Sequence, residues 1–269
     1  MKKIILKQKI KIKSELNLKN LSKINFEERK ISETKILYQN KEINLNKLFD
    51  VKIEKNNKNQ NELIVQGLNK NCDYVGWKWG NGVLKITSDV GSFLGAKMTG
   101  GKIIVDGSCE NYVGSEMSDG RIIVKCNALD FVGSSLPGSK IGMNGGLIFI
   151  HGKSRDYLGF NMRRGTVFVK GDVRNHCCNS MTAGTVILRK SIGENIGFGM
   201  KRGTIILNKK KLKITNFIEI AELNSPFLNL INNYFIQNLG LKVFEKNDKF
   251  RRFHGDYNMN GRGEIIVKK

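Results

Sequence analysis

A glycine followed by a short apolar run recurs along the middle of the chain. The glycines are Gly82, Gly101, Gly120, Gly146, Gly165, Gly184 and Gly203, at steps of 19, 19, 26, 19, 19 and 19 residues. A second column, Trp79, Met98, Met117, Met143, Met162, Met181 and Met200, keeps the same steps, and a third, Gly76, Gly95, Gly114, Gly133, Gly159, Cys178 and Gly197, keeps the period with its long step between Gly133 and Gly159. The long step, 26 against 19, is a seven-residue insertion between Gly133 and Met143, within 134–142. A fixed period of this size marks a stacked repeat. Each unit holds one β-branched run, then polar and glycine turn residues, then a short piece such as Tyr112-Val113 or Phe93-Leu94. No unit has room for a helix of useful length. The pattern therefore predicts an all-β dominated chain, a single-stranded β-helix (β-solenoid) of about seven 19-residue coils over 61–208. Equivalent residues stack about 4.8 Å apart in such a coil. Glycine permits the corners, and the methionines form an internal ladder that fills the core.

The ends of a solenoid expose unpaired strand edges and need covering. Residues 1–60 are expected to form an N-terminal cap, with strand-like pieces from Ile4 to Ile12, at Lys35–Tyr38 and from Leu48 to Ile53. Residues 209–269 are expected to form a C-terminal cap with a helix at about 226–239. There Ser225 is a good N-cap and Pro226 a good first residue, with Gly240 as the stop. Phe227, Leu228, Leu230, Ile231, Tyr234, Phe235 and Leu239 read as its apolar face. A glycine turn and a strand end the chain, Gly261 to Val267.

Charge adds a second layer. Lysine and arginine total 46 against 24 acidic residues, a formal net charge of +22. That suits a polyanionic partner. It also suits codon bias, because lysine, asparagine and isoleucine are all inflated and only 11 of the cations are arginine. Placement decides between these readings. The two positions after each methionine are equivalent corners, and two of them carry paired cations, Arg163-Arg164 and Lys201-Arg202. They lie two coils apart, about 10 Å in a regular stack. Arginine at such corners stands out from the lysine-rich background. Arg163, Arg164, Lys201 and Arg202 are therefore candidate ligands of an anionic tail, through bidentate contacts to carboxylates or phosphates. The alternative is a solvated basic edge or a protein–protein contact.

Other chemistry is sparse. The five cysteines form no Cys-x-x-Cys, and reduced, mostly buried thiols are expected. The three histidines, His151, His176 and His254, are out of coil register, so no metal site is expected. The stretch from Gly197 to Gly203 has dinucleotide-like glycine spacing but leads into a strand rather than a helix. No catalytic residue is assigned. No apolar run approaches the ~20 residues of a membrane span. The apolar run near the N-terminus is shorter than the about 7–15 residues a signal peptide needs. A cytoplasmic protein is expected, with no membrane partner. Nucleic acid is a rival partner on charge alone. It needs exposed aromatics among the cations, whereas Phe93, Tyr112, Phe131 and Tyr157 are expected to face the core, so no nucleic acid is assigned. A secreted polysaccharide lyase is disfavoured by the missing export signal.

The repeat, with Tyr/Phe-Val/Leu-Gly before each Met-x-x-Gly corner, resembles the C-terminal β-helix of the glutamate synthase superfamily, the GXGXG type. Within it the chain resembles the formylmethanofuran dehydrogenase C-subunit family, and in kind the C subunit of the bacterial formyltransferase/hydrolase complex. Residues 32–51, the corners Met162 to Gly165 and Met200 to Gly203, and the segments 250–256 and 261–266 carry this resemblance. Cys178 departs from the glycine column. The resemblance implies an accessory, non-catalytic subunit of an enzyme complex of one-carbon metabolism, with metals held by other subunits and methylotrophy as one setting. In that complex a formyl group passes from a tetrahydromethanopterin-type carrier to a methanofuran-type carrier, and formate is released. The implied partners are an amidohydrolase-like A subunit, the B subunit, plus a formyltransferase D subunit. The alternative is the C subunit of a molybdenum or tungsten formylmethanofuran dehydrogenase, an oxidoreductase. The carriers bear a γ-linked glutamyl tail, an anion that the basic corners would suit. A third possibility is an amidotransferase β-helix domain, where the repeat is a spacer; both chain ends argue against it.

Overall fold

The computed structural model describes residues 1–24, 26, 31–57, 59–208, 216–223, 226–245 and 247–269. Seven strands come from the N-terminal part: β1 (Lys2–Gln8), β2 (Leu16–Asn17), β3 (Lys35–Tyr38), β4 (Lys41–Asn44), β5 (Phe49–Lys55), β6 (Glu62–Gln66) and β7 (Cys72–Asp73). The repeat supplies β8 (Val83–Ile86), β9 (Thr99–Val105), β10 (Asp119–Val124), β11 (Asn144–Ile150), β12 (Arg164–Val169), β13 (Thr185–Leu188) and β14 (Thr204–Leu207). Then follow β15 (Phe217–Leu223), the helix α1 (Pro226–Leu239), β16 (Phe250–Gly255) and β17 (Gly263–Lys268). The chain is all-β dominated with this one α-helix among the described residues.

Thirteen strands form one mixed sheet in the order β15-β16-β17-β14-β13-β12-β11-β10-β9-β8-β6-β1-β5. From β1 through β6 and β8–β14 to β17 every neighbour pair is parallel. Antiparallel strands close both ends, β5 on β1 and β16 then β15 on β17. The register follows the repeat: Val83 pairs with Lys102, Lys102 with Arg121, Arg121 with Leu147, and Thr166 with Thr185 and it with Thr204. The ladder extends past the repeat on both sides. Leu63 and Ile4 continue it at one end, and Glu264, paired with Thr204, at the other. A second sheet of β4-β3-β2-β7 lies in the N-terminal part.

Backbone hydrogen bonds also join one repeat to the next outside the strands. Gly95, Gly114, Gly133, Gly159, Cys178 and Gly197 donate to the carbonyls of Val75, Leu94, Val113, Val132, Leu158 and Cys177 at 2.7–2.9 Å. Each methionine N–H then closes a turn onto the residue of that column before it, as Met117 does onto Gly114 at 3.2 Å. The insertion leaves this closure intact, because the Met143 N–H reaches the Gly133 carbonyl at 3.0 Å. The glycines at the starts of the strands are required by the stacking. At Gly120, with φ of +94°, a Cβ would lie 2.6 Å from Met98 Cε and 2.8 Å from the Gly100 carbonyl oxygen.

The core follows from this stacking. Ile103, Ile122, Ile148, Val167, Val186 and Ile205 form one buried column and Val105, Val124, Ile150, Val169, Leu188 and Leu207 another, and both meet the methionines from Met98 to Met200. A second core covers the opposite face of the sheet. Phe149, Phe168, Ile187 and Ile206 there pack against Leu228, Ile231 and Phe235 of α1. Gly240 ends the helix with φ of +66°, its N–H bonded to the Ile236 carbonyl at 2.9 Å. Ser225, the expected N-cap, lies outside the described residues. The apolar face is narrower than expected, since Leu230 and Tyr234 are exposed. No described helix is long and apolar enough to cross a membrane.

The aromatic column departs from its expected place. Phe93, Tyr112, Phe131 and Tyr157 do not face the core; all are half-buried. Their φ angles are +58 to +63°, which turns each ring outward and sends the next residue inward. Leu94, Val113, Val132 and Leu158 therefore occupy the core. The rings stack from Tyr74 through Tyr157 to His176 at 4.5–5.1 Å, with planes within 8°. Lys19 caps the first ring at 4.1 Å.

Candidate anion-binding ridge

The corners after the methionines are held by backbone bonds between repeats. The Arg163 and Arg164 N–H groups donate to the Met143 carbonyl at 2.9 and 3.1 Å, Thr182 to that of Met162 at 2.8 Å, and Lys201 to that of Met181 at 2.9 Å. The side chains of Arg163, Arg164, Lys201 and Arg202 are all exposed. None of the four joins a carboxylate in an ion pair among the described residues. Other arginines are neutralised: Arg252 meets Glu264 at 2.8 Å and Arg251 meets Glu219 at 3.3 Å.

One further cation of this group is not found by the repeat. β17 pairs with β14 so that Glu264 aligns with Thr204, which places Arg262 level with Arg202 on the next strand. The Arg262 N–H donates to the Lys201 carbonyl at 2.6 Å. A shallow cavity of about 520 Å³ is lined by Thr182, Lys201, Arg202 and the segment from Met259 to Arg262. Asp256 holds that segment in place. Its buried carboxylate accepts from the N–H groups of Gly199 at 3.0 Å and Asn258 at 2.9 Å. Glu264 lies close in sequence, but Arg252 and the Thr204 hydroxyl (2.7 Å) engage its charge.

The structure thus brings Lys201, Arg202 and Arg262 to one cavity. Arg163 and Arg164 sit on the same corner column, two strands away and outside its lining. The only signal for Arg262 in the sequence is the local likeness of Gly261-Arg262-Gly263 to Lys201-Arg202-Gly203. The spacing of 60 residues lies outside the repeat, so periodicity does not find it. Exposed, unpaired guanidinium groups can accept several carboxylates or phosphates in turn, each bidentate. They offer no nucleophile or general base.

The histidines stand elsewhere. His176 ends the aromatic stack, and His254 lies near Tyr257 at 6.5 Å. His151 tilts over Phe149 at 4.3 Å, and partial burial, then Lys170 and Lys125, hold its pKa below the usual imidazole value. No group of three or more His, Cys, Asp or Glu that could hold a metal ion occurs among the described residues.

A period of glycines and β-branched residues, stacked as a parallel ladder with basic corners, defines a class of glycine-repeat β proteins. The chain belongs to the GXGXG motif family, whose model matches residues 30–233. It is similar to a chain in the crystal structure of the formyltransferase/hydrolase complex (FhcABCD) from Methylorubrum extorquens in complex with methylofuran. The two are 25% identical with a TM-score of 0.84, over 98% of this chain and 99% of that one. No curated protein matches the chain by sequence.

Proposed function

We propose that this chain is the C subunit of a formyltransferase/hydrolase complex of one-carbon metabolism. In this reading it is an accessory subunit that scaffolds catalytic partners: an amidohydrolase-like A subunit, the B subunit, plus a formyltransferase D subunit. The observation that carries it is the likeness over nearly the full length of both chains to a component of the FhcABCD complex.

The proposed architecture is a β-helix, with 61–208 as its stacked coils and 1–60 and 209–269 as its ends. The 19-residue register and the hydrogen-bonded corners support it. A rigid stack of this kind suits a scaffold because each coil contacts only its neighbours and its surface grows in fixed steps.

The basic corners are proposed to hold the glutamyl tail of a methanofuran-type carrier. Arg163, Arg164, Lys201 and Arg202 would each make weak, exchangeable contacts. Several such contacts raise the local concentration of the carrier without fixing one pose. Its reactive end then remains free to move between neighbouring active sites.

The test is a native pull-down of the tagged chain from its own host, with mass spectrometry of the co-purified proteins. Recovery of a formyltransferase together with an amidohydrolase-like protein is the expected result. Recovery of molybdenum or tungsten pterin and iron–sulfur subunits would replace it with a formylmethanofuran dehydrogenase. Recovery of neither group would overturn both.

A further inference from the structure

A second recess lies on the outer face of the sheet, over the N-terminal ends of β8–β11. Its volume is about 480 Å³, within the range of small-molecule sites. The glycine column forms its floor through Gly82, Gly101, Gly120 and Gly146, and α1 walls it with Tyr234 and Asn238. No side chain fills the floor, because the stacked backbone leaves no room for one at Gly101 or Gly120.

Lys102 and Arg121 both line this recess. They are direct partners on the adjacent strands β9 and β10, so two cationic side chains leave backbones about 5 Å apart. Such a pair repels. Arg121 does not swing away, because its Nη1 donates to the carbonyl and the Oδ1 of Asn238, both at 3.3 Å. Asn238 is itself tied to the Tyr234 carbonyl at 2.8 Å. Neither cation forms an ion pair with a carboxylate among the described residues. Asp119 lines the recess too but is exposed and bonds to neither. Partial burial, then the charge of Arg121, pushes the Lys102 pKa down. Burial, then Asp119, pushes that of the Tyr234 hydroxyl up, against an opposing effect of Arg121, so it stays a neutral donor.

We propose that this glycine-floored recess binds a small oxyanion, a carboxylate or a phosphate, between the Lys102 ammonium and the free edge of the Arg121 guanidinium, with the Tyr234 hydroxyl as a third donor. The anion replaces a repulsive contact with two charge-assisted hydrogen bonds. The site shares no residue with the basic corners and stands independently of the tail-binding reading.

Isothermal titration of the full chain at low ionic strength, with inorganic phosphate and with succinate as separate probes, tests it. Saturable binding of at least one is expected, and the one that binds assigns the ligand as phosphoryl or carboxylate. Lys102→Gln should weaken that binding about tenfold or more, the usual worth of one hydrogen bond to a charged group. Asp119→Asn should tighten it several-fold, because it removes the one negative charge in the recess. Lys190→Gln, at an exposed lysine beyond the C-terminal end of β13, should leave it unchanged. Lys102 reaches the ligand from the sheet alone, so its variant keeps the seat of α1. Arg121→Gln also loosens the helix and is the weaker test. Absence of saturable binding by either probe overturns the proposal. So does unchanged affinity in Lys102→Gln with a wild-type melting curve.

Discussion

At the scale of single residues the thiols and one carboxylate are sharply set by their surroundings. Four of the five cysteines are buried and only Cys126 is exposed. Burial pushes the Cys72 thiol up to about 11 and those of Cys109 and Cys178 well above the ordinary range. The thiolate is the reactive form, so these three are inert at neutral pH. A maleimide at pH 7 is expected to label one thiol in the folded chain and five after denaturation, with peptide mapping placing the single label on Cys126. Labelling of Cys109 at a comparable rate would mean that its corner opens. Asp172 is set by hydrogen bonds. Its carboxylate accepts from the hydroxyl and the N–H of Ser191 and meets Lys153 at 3.1 Å, and its pKa falls from 3.8 to about 2. A carboxyl depressed on folding stabilises the fold above its unfolded pKa. That contribution is full above about pH 4 and is lost as the pH falls through about 2. Ser191→Ala removes the largest cause, so carbon-detected NMR titration should return the Asp172 pKa toward 3.8. An unshifted titration would assign the effect to Lys153 instead.

Among the elements, the insertion gives the cleanest experiment. Gly133 and Met143 remain hydrogen-bonded across it at 3.0 Å, while Ser134 and Ser135 keep repeat positions, their backbone bonded to Glu116 at 3.2 Å and Phe160 at 3.1 Å. The seven residues 136–142 thus hang from a corner that is already closed. Loop-closure entropy changes slowly with length, so their deletion should leave the melting temperature within about 5 °C of wild type. A collapse of the fold would show that the bonds tying the insertion back, from the Leu136 N–H to the Glu116 carboxylate at 3.1 Å and from the Gly142 N–H to the Asn161 carbonyl at 2.8 Å, are needed to hold the corner. The insertion was legible in the sequence because three columns jump together at one place. The strands and the methionine core were legible for the same reason: a stacked repeat puts one residue type in one environment many times. The orientation of Phe93, Tyr112, Phe131 and Tyr157 was not legible. Each is followed by an aliphatic residue, and only the positive φ decides which of the two turns inward. Arg262 was not legible either, because its neighbour Arg202 comes from a strand pairing outside the period. The recess beneath Tyr234 and Asn238 needs the helix seated so that Asn238 meets Arg121 of β10, which no local pattern specifies.

For the whole molecule the question is whether +22 of net charge has a use or only reflects composition. Some lysines are offset by local carboxylates, as Lys125 is by Asp106 at 2.7 Å and Lys153 by Asp172 at 3.1 Å. The corner cluster is different, because none of Arg163, Arg164, Lys201, Arg202 and Arg262 forms an ion pair with a carboxylate among the described residues. A cluster with a use should be specific in position, whereas a compositional excess should not. The triple reversal Arg163→Glu, Arg164→Glu and Arg202→Glu changes the charge by six, and so does the same reversal at three exposed lysines elsewhere, such as Lys78, Lys140 and Lys190. Both variants should assemble with their partners to the same extent in size-exclusion chromatography. Only the corner variant should raise the KM for the carrier, by about tenfold or more if two charge-assisted contacts are lost. In the wild-type complex that KM should rise with salt, since exposed charges are screened over about 8–10 Å near physiological ionic strength. The corner variant should have lost most of that dependence. Equal kinetics in the two variants would leave the corners as a solvated edge and the chain as a scaffold alone.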